Sequence, residues 1–334
     1  MVERMFGFLV KKTFFDMWDN MFRIILLNLA FIAVLGLVAL PSLVSGEVPA
    51  GAGAAAGGAA AVPAPQAPTA PLSEAEAQAG FQAFVSECVE KPFTTPLARL
   101  IVMLGPISGS QMIGMLIGRQ PLIVLPLIIL LVGIAALVVL CGAASRMTAD
   151  IADYKQPGFA EFWTYVKESW ANSLLGSLLL FAYLLIVSVA FPFYAGRGWI
   201  GWLAMGLLFW ITVAALLAAQ YFFPIQSHLD RKLRKIVRKS FLLLFDNTLF
   251  TIALAIVAVL VFALSAFTAF LLPGLATIFL WWNAALKLRL YKYDWLEQNP
   301  GANRRKVPWD ALLIDDRERV GKRTLKGMIF PWKE

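Results

Sequence analysis

The sequence predicts an all-α protein, a polytopic membrane helix bundle with about six transmembrane helices. Three observations predict this class. Hydrophobic residues make up 60% of the chain and charged residues only 15%, whereas about a quarter of the residues in a soluble protein are charged. Apolar runs long enough to cross a bilayer recur along the chain. The basic residues lie beside these runs, where they can face an anionic membrane surface.

The predicted spans follow from run length, because a bilayer core requires about 20 apolar residues in a helix. A longer stretch, Thr248–Leu286, carries no charge over about 39 residues, which as one helix would be about twice as long as the hydrocarbon layer is thick. It therefore predicts two helices that turn near Ser265–Gly274, with Pro273-Gly274 as one candidate turn. The other four runs are Ile24–Val44, Pro121–Ser145, Ser173–Tyr194 and Trp199–Phe223.

The distribution of Lys and Arg predicts the orientation of the chain. With the N-terminus inside, the inner segments 1–23, 146–172, 224–247 and 287–334 hold 25 of the 29 basic residues. Cytoplasmic loops carry such an excess. The sequence therefore predicts a multi-pass membrane protein with both termini in the cytoplasm.

Composition divides the chain into four predicted regions. Residues 1–46 form an N-terminal interfacial segment and the first span, and residues 47–120 form an extracytoplasmic Ala/Gly/Pro-rich insert with short helices. Residues 121–288 form a five-span bundle, and residues 289–334 form a basic cytoplasmic tail. Within the insert, the apolar stretch 100–118 is interpreted as a surface-lying or re-entrant helix pair.

A basic amphipathic helix is predicted over 227–245, with its apolar side chains on one half of the helical wheel. This pattern is typical of a helix in the headgroup region that binds anionic lipid; the alternative is a basic loop that only sets topology. No aromatic face accompanies the charge, so nucleic acid is not an expected partner. The basic half contains Arg231, Lys232, Arg234, Lys235, Arg238 and Lys239.

A second, less charged amphipathic stripe precedes the third span, over residues 159–170. The stretch from Met5 to Trp18 ahead of the first span is also rich in Phe, but Lys12 interrupts its apolar face.

The predicted spans hold no ionisable residue away from their ends, which argues against a proton-coupled transporter. Asn28, Gln220 and Asn283 are the polar residues of most interest. Bonds between helices are the favoured interpretation, and substrate contacts are the alternative. No catalytic, cofactor or metal site is predicted. Asp315 and Asp316 are interpreted as part of a solvated mixed-charge turn rather than a metal site.

Three similar stretches suggest an internal repeat. Trp18-Asp19-Asn20, Trp170-Ala171-Asn172 and Phe245-Asp246-Asn247 precede the first, third and fifth spans. An Asn at each position could cap the helix that follows. The hypothesis is three helical hairpins, each entered through a cytoplasmic interfacial helix; chance recurrence of caps is the competing interpretation.

The stretches Leu26-Leu27-Asn28-Leu29 and Gln220-Tyr221-Phe222-Phe223-Pro224, with Lys239-Ser240-Phe241 and Asp246-Asn247 after the basic helix, resemble the YesL-like bacterial membrane proteins. The resemblance covers residues 1–46 and 121–290; the insert and the tail from Lys292 depart from the family pattern. The family has no known function, but its members are linked by gene neighbourhood to carbohydrate uptake.

By resemblance, the chain is expected to lie in the bacterial cytoplasmic (inner) membrane as a non-enzymatic accessory of a carbohydrate uptake or sensing system. Its expected partner is a sugar ABC transporter or another membrane protein. No catalytic residue carries over from the family. The alternative is a facilitator for a small neutral solute. A lipid-active enzyme is the weakest hypothesis, because no nucleophile or metal set is present.

Overall fold

The computed structural model describes residues 2–45, 121–195, 197–303 and 307–321, and these contain helices and turns but no β-strand. The chain divides into a larger unit, Met1–Val38 with Leu131–Glu334, and a smaller one, Ala39–Leu130. The predicted insert helices, the stretch 100–118 and Cys88 lie outside the described residues.

The helices in chain order are α1 (Val2–Asp19), α2 (Met21–Ser45), α3 (Pro121–Ala152), α4 (Phe159–Ala195), α5 (Gly198–Ala219), α6 (Phe222–His228), α7 (Leu233–Asp246), α8 (Thr248–Phe267), α9 (Leu275–Gln298), α10 (Trp309–Leu312) and α11 (Ile314–Val320).

Five stretches of the described chain are long and apolar enough to cross a membrane. They lie in α2, in α3, in α4, in α5 with α6, and in α8. The all-α polytopic bundle is therefore confirmed, and the chain is an integral membrane protein.

The sixth predicted span lies in α9, which is not among these five stretches. The prediction of two helices within 248–286 is nevertheless confirmed, because α8 ends at Phe267 and α9 begins at Leu275. Lys287, Arg289 and Lys292 lie in the second half of α9, so its composition alone does not identify it as a span. Its first half is almost completely buried in protein.

Contacts at three heights show that α9 returns antiparallel along α8. The turn that joins them lies at one end, the Trp281 indole N–H donates to the Leu254 carbonyl (3.1 Å) in the middle, and Asn247 donates to the Tyr293 hydroxyl (2.8 Å) at the other end. The end of α9 therefore lies at the same end of the bundle as the start of α8. That α9 crosses the membrane stays a prediction.

Helices α4 and α5 form the outer hairpin of the bundle. They pack against each other, and the Tyr183 and Thr212 hydroxyls lie 3.0 Å apart between them. Large apolar side chains on both helices remain exposed, among them Trp199 and Trp202. A helix that is apolar on all sides is expected where lipid is the solvent.

The predicted interfacial helix over 159–170 is not a separate element. These residues form the beginning of α4, a continuous helix of 37 residues. At 1.5 Å per residue it is about 55 Å long, far more than the hydrocarbon core requires. The Asn172 side chain donates to the carbonyl of Arg231 (2.6 Å), and the backbone of α4 continues through residue 172 without interruption.

This continuity also corrects the capping part of the repeat hypothesis. Two helices are interrupted at Asn20 and at Asn247, but Asn172 lies inside a helix. Asn247 precedes α8 without a side-chain capping bond, and its side-chain oxygen accepts from the Lys292 ammonium (3.3 Å) instead. Whether the hairpins superpose stays a prediction.

The predicted basic helix is shorter than expected and faces a different surface. Residues 229–232 separate α6 from α7, so the amphipathic helix is Leu233–Asp246. Its buried side chains Ile236, Leu243 and Leu244 belong to a helix that packs on α5, α6 and α8. Much of the apolar face therefore meets protein rather than lipid.

The boundary predicted between bundle and tail, at residues 288 and 289, is also corrected. It falls inside α9, and the segment beyond α9 folds back onto the bundle. Val307, Trp309, Leu313 and Val320 are buried in the core. The tail prediction rested on charge, but this apolar set gives α10 and α11 a buried side.

Candidate functional site

The three intramembrane polar residues singled out from the sequence lie at contacts between helices. Asn28, 1% exposed, extends from α2 to the turn between α8 and α9. Its amide nitrogen donates to the Leu271 carbonyl (2.9 Å), and its carbonyl oxygen accepts from the Ala276 N–H (2.9 Å). A side chain at Gly274 would collide with the Asn28 amide and the Phe270 carbonyl, so glycine is required there.

Asn283 and Gln220 make comparable bonds. The Asn283 amide nitrogen lies 3.0 Å from the Ser145 carbonyl and 3.1 Å from the Thr148 hydroxyl, which joins α9 to α3. The Gln220 amide donates to the Thr251 carbonyl of α8 (3.1 Å). These contacts agree with the interpretation of the three residues as bonds between helices.

The six predicted lipid-binding bases divide into two groups. Arg231 pairs with Glu168 (3.1 Å), and Lys239 and Lys235 pair with Asp230 (2.5 and 3.9 Å). The remaining three make no ion pair with any described residue and are exposed to solvent. They are Lys232, Arg234 and Arg238.

The most concentrated polar site was not predicted from the sequence. We call it the ionic cluster, and it is built around the ring of Tyr154, just after α3. Three cations face this ring: Lys12 of α1 at 3.8 Å, Lys287 of α9 at 4.7 Å and Arg319 of α11 at 5.0 Å. Tyr154 has a φ of 60°, a left-handed backbone conformation that is uncommon for a non-glycine residue.

Three carboxylates balance these cations. Asp16 lies 2.6 Å from Lys12, and Lys287 lies 3.2 Å from Asp153 and 3.8 Å from Asp316. The Ala152 carbonyl accepts from both lysines, at 3.0 and 2.9 Å. Because three positive and three negative charges meet, the ionic cluster has no excess charge with which to hold an ion. His228, 3.9 Å from Asp153, adds a contact from α6.

The Lys12–Asp16 pair is the most deeply buried part of the ionic cluster, with side chains 0% and 7% exposed. Burial raises the pKa of Asp16 to about 6, against the opposing effect of the Lys12 ammonium. Burial also lowers the pKa of Lys12, and Asp16 opposes that change. Each charge is therefore tolerated because the other compensates for the loss of water.

Asp316 corrects the interpretation of 315–316 as a solvated turn. Its side chain is 4% exposed and lies beside Lys287, and it raises the pKa of Tyr291 in addition to the effect of burial. The sequence offered two indications of this site: Lys12 interrupts an apolar stripe, and Asp16 follows it by one helical turn. It offered no indication of which residues would cover them.

The ionic cluster joins all four segments that were predicted to lie inside. Lys12, Tyr154, His228 and Lys287 each come from a different one of these segments. The cluster therefore connects several helices at one end of the bundle.

Comparisons with family models, with curated proteins and with solved structures find no match for this chain.

We predict that substitution of Asn28 by Leu destabilises the protein in detergent. The change leaves the Leu271 carbonyl and the buried Ala276 N–H without a partner, and a buried group that loses its partner costs about 1–3 kcal/mol. Thermal unfolding of Asn28→Leu should therefore occur at a clearly lower temperature. Ser188→Ala is the matched control, because Ser188 bonds only within its own helix; equal stability of the two variants would contradict the role of Asn28.

We also predict that removing one member of the Lys12–Asp16 pair is worse than removing both. Lys12→Met or Asp16→Leu should each cost roughly 3–5 kcal/mol, because a buried charge loses its partner. The double variant Lys12→Met/Asp16→Leu should recover part of the loss. Lys155→Gln, at the more exposed Lys155–Asp150 pair, should cost less than about 1 kcal/mol. Chemical unfolding measures all four, and additive single effects would contradict the prediction.

Proposed function

We propose that this chain is a non-enzymatic integral membrane protein that assembles with another membrane protein, as an accessory of a carbohydrate uptake or sensing system. The observation that carries the proposal is the use of polar side chains inside the bundle. Asn28 and Asn283, where a solute path would need polar groups, bond to the turn after α8 and to α3. Both are almost completely buried, which favours a structural bundle over a facilitator.

The carbohydrate part of the proposal rests on the resemblance to YesL-like proteins. The orientation part rests on charge: we propose that the ionic cluster and the basic residues of α7 face the cytoplasm of a bacterial cell, with both termini on that side. The ionic cluster brings the four predicted inner segments together at one end of the bundle, which supports placing them on the same side of the membrane.

Purification of the full chain from native membranes in a mild detergent tests the proposal. We expect the subunits of one carbohydrate transporter to be recovered in a constant ratio to the tagged chain, and the reverse purification to recover this chain. An unrelated multi-pass protein with the same tag is the control.

A flux assay on the purified chain in vesicles distinguishes the alternative. Uptake of a neutral solute that is lost in Asn283→Leu, together with no transporter in either purification, would contradict the accessory role and support a facilitator.

A further inference from the structure

The outer hairpin, α6 and α7 enclose a groove of about 500 Å³. Nearly all of the groove surface is apolar, and a volume of this size suits a small-molecule site. Helix α4 lines it from Gly176 to Ile186, and α5 lines it from Ile211 to Ala219. Val237 and Phe241 line it from α7.

The length of the groove matches one leaflet of a bilayer. Ten residues of α4 separate Gly176 from Ile186, which at 1.5 Å per residue is about 15 Å. This is half of the roughly 30 Å hydrocarbon thickness. An acyl chain that enters at the Gly176 end would reach the middle of the membrane at Ile186.

The beginning of α7 lies at the Gly176 end of the groove. Arg231, just before α7, binds Glu168, and its carbonyl accepts from Asn172. Both α4 residues lie within about two turns of Gly176. The first turns of α7 are therefore located where a lipid headgroup would sit if an acyl chain filled the groove.

The two arginines among the three unpaired bases lie on the strip of α7 that lines this groove. Arg234, Val237, Arg238 and Phe241 follow the i, i+3, i+4, i+7 spacing and so share one helical face. Val237 and Phe241 line the groove, while Arg234 and Arg238 are exposed and make no ion pair with a described residue. The other bases of α7, Lys235 and Lys239, pair with Asp230 on another face.

We propose that the groove is a site for one anionic phospholipid, with an acyl chain between α4, α5 and α7 and the phosphate bound by Arg234 and Arg238. Arginine suits this role because its planar guanidinium can donate two hydrogen bonds to a phosphate. The site needs the apolar groove and the two free arginines together. It does not depend on the accessory role proposed above.

Binding of added lipid to the delipidated full chain in neutral detergent tests the site, with native mass spectrometry and thermal unfolding as readouts. Phosphatidylglycerol should bind and raise the unfolding temperature, whereas phosphatidylcholine should bind far more weakly. Arg234→Gln/Arg238→Gln should weaken phosphatidylglycerol binding about thirtyfold, since each base near an anionic headgroup contributes roughly a fivefold effect.

The matched control is Lys235→Gln/Lys239→Gln, which removes the same charge from the same helix and should retain most of the binding. Equal loss in the two double variants would overturn the proposal, because it would indicate a diffuse surface attraction. Ala182→Phe fills the groove and should also weaken binding, while Ala263→Phe on α8, away from the groove, should not.

Photo-crosslinking of the unmodified chain gives a readout that does not depend on any variant folding. Phosphatidylglycerol with a photoreactive acyl chain should label residues 176–186 of α4 or 211–219 of α5. Labelling spread evenly over all apolar helices would overturn the proposal. In a separate chain that carries a photoreactive residue at position 182, capture of a partner protein instead of lipid would also overturn it.

Discussion

The second half of α9 imposes the main constraint on this structure. A helix with Lys287, Arg289 and Lys292 on its last turns cannot face hydrocarbon, because an uncompensated charge in lipid is costly. The surrounding protein compensates for each of them: Lys287 meets Asp153 and Asp316, Arg289 stacks on Phe250 at 3.8 Å, and Lys292 lies 3.3 Å from Asp246. Helices α1, α7, α8 and α11 and the turn after α3 supply partners or cover, so their positions follow from this requirement.

Length and apolarity were sufficient to predict the membrane class and most of the helices. The two-helix interpretation of Thr248–Leu286 was correct because one helix of that length does not fit a bilayer. The continuity of α4 could not be predicted, since the sequence does not reveal that Asn172 bonds to the segment before α7. Burial of Lys12, Asp16 and Asp316 was missed for the same reason. An amphipathic pattern shows that a helical face carries both polar and apolar side chains, but not which other element packs against that face.

The candidate sites were also predictable only in part. Helical periodicity placed six bases on one half of the 227–245 segment. Only the fold separates Arg231, Lys235 and Lys239, which have acidic partners, from Lys232, Arg234 and Arg238, which have none among the described residues. Nothing in the sequence distinguishes Glu168 and Asp230, the acidic partners of the paired bases, from other acidic residues. For Asn28, Gln220 and Asn283, polarity within an apolar run was enough to favour contacts between helices. The structure adds which backbone groups they bind.

Helix α9 returns to the end of the bundle where Lys12 and Asp16 of α1 lie, and we predict that this end, with the ionic cluster, lies on one membrane face. Labelling of single cysteines with a membrane-impermeant thiol reagent tests this most directly, in a chain without Cys88 and Cys141. Cysteines at the exposed positions 155, 238 and 318 should react from one side of the membrane, and a cysteine at position 197 should react from the other. Reaction of position 318 from the same side as position 197 would contradict the account.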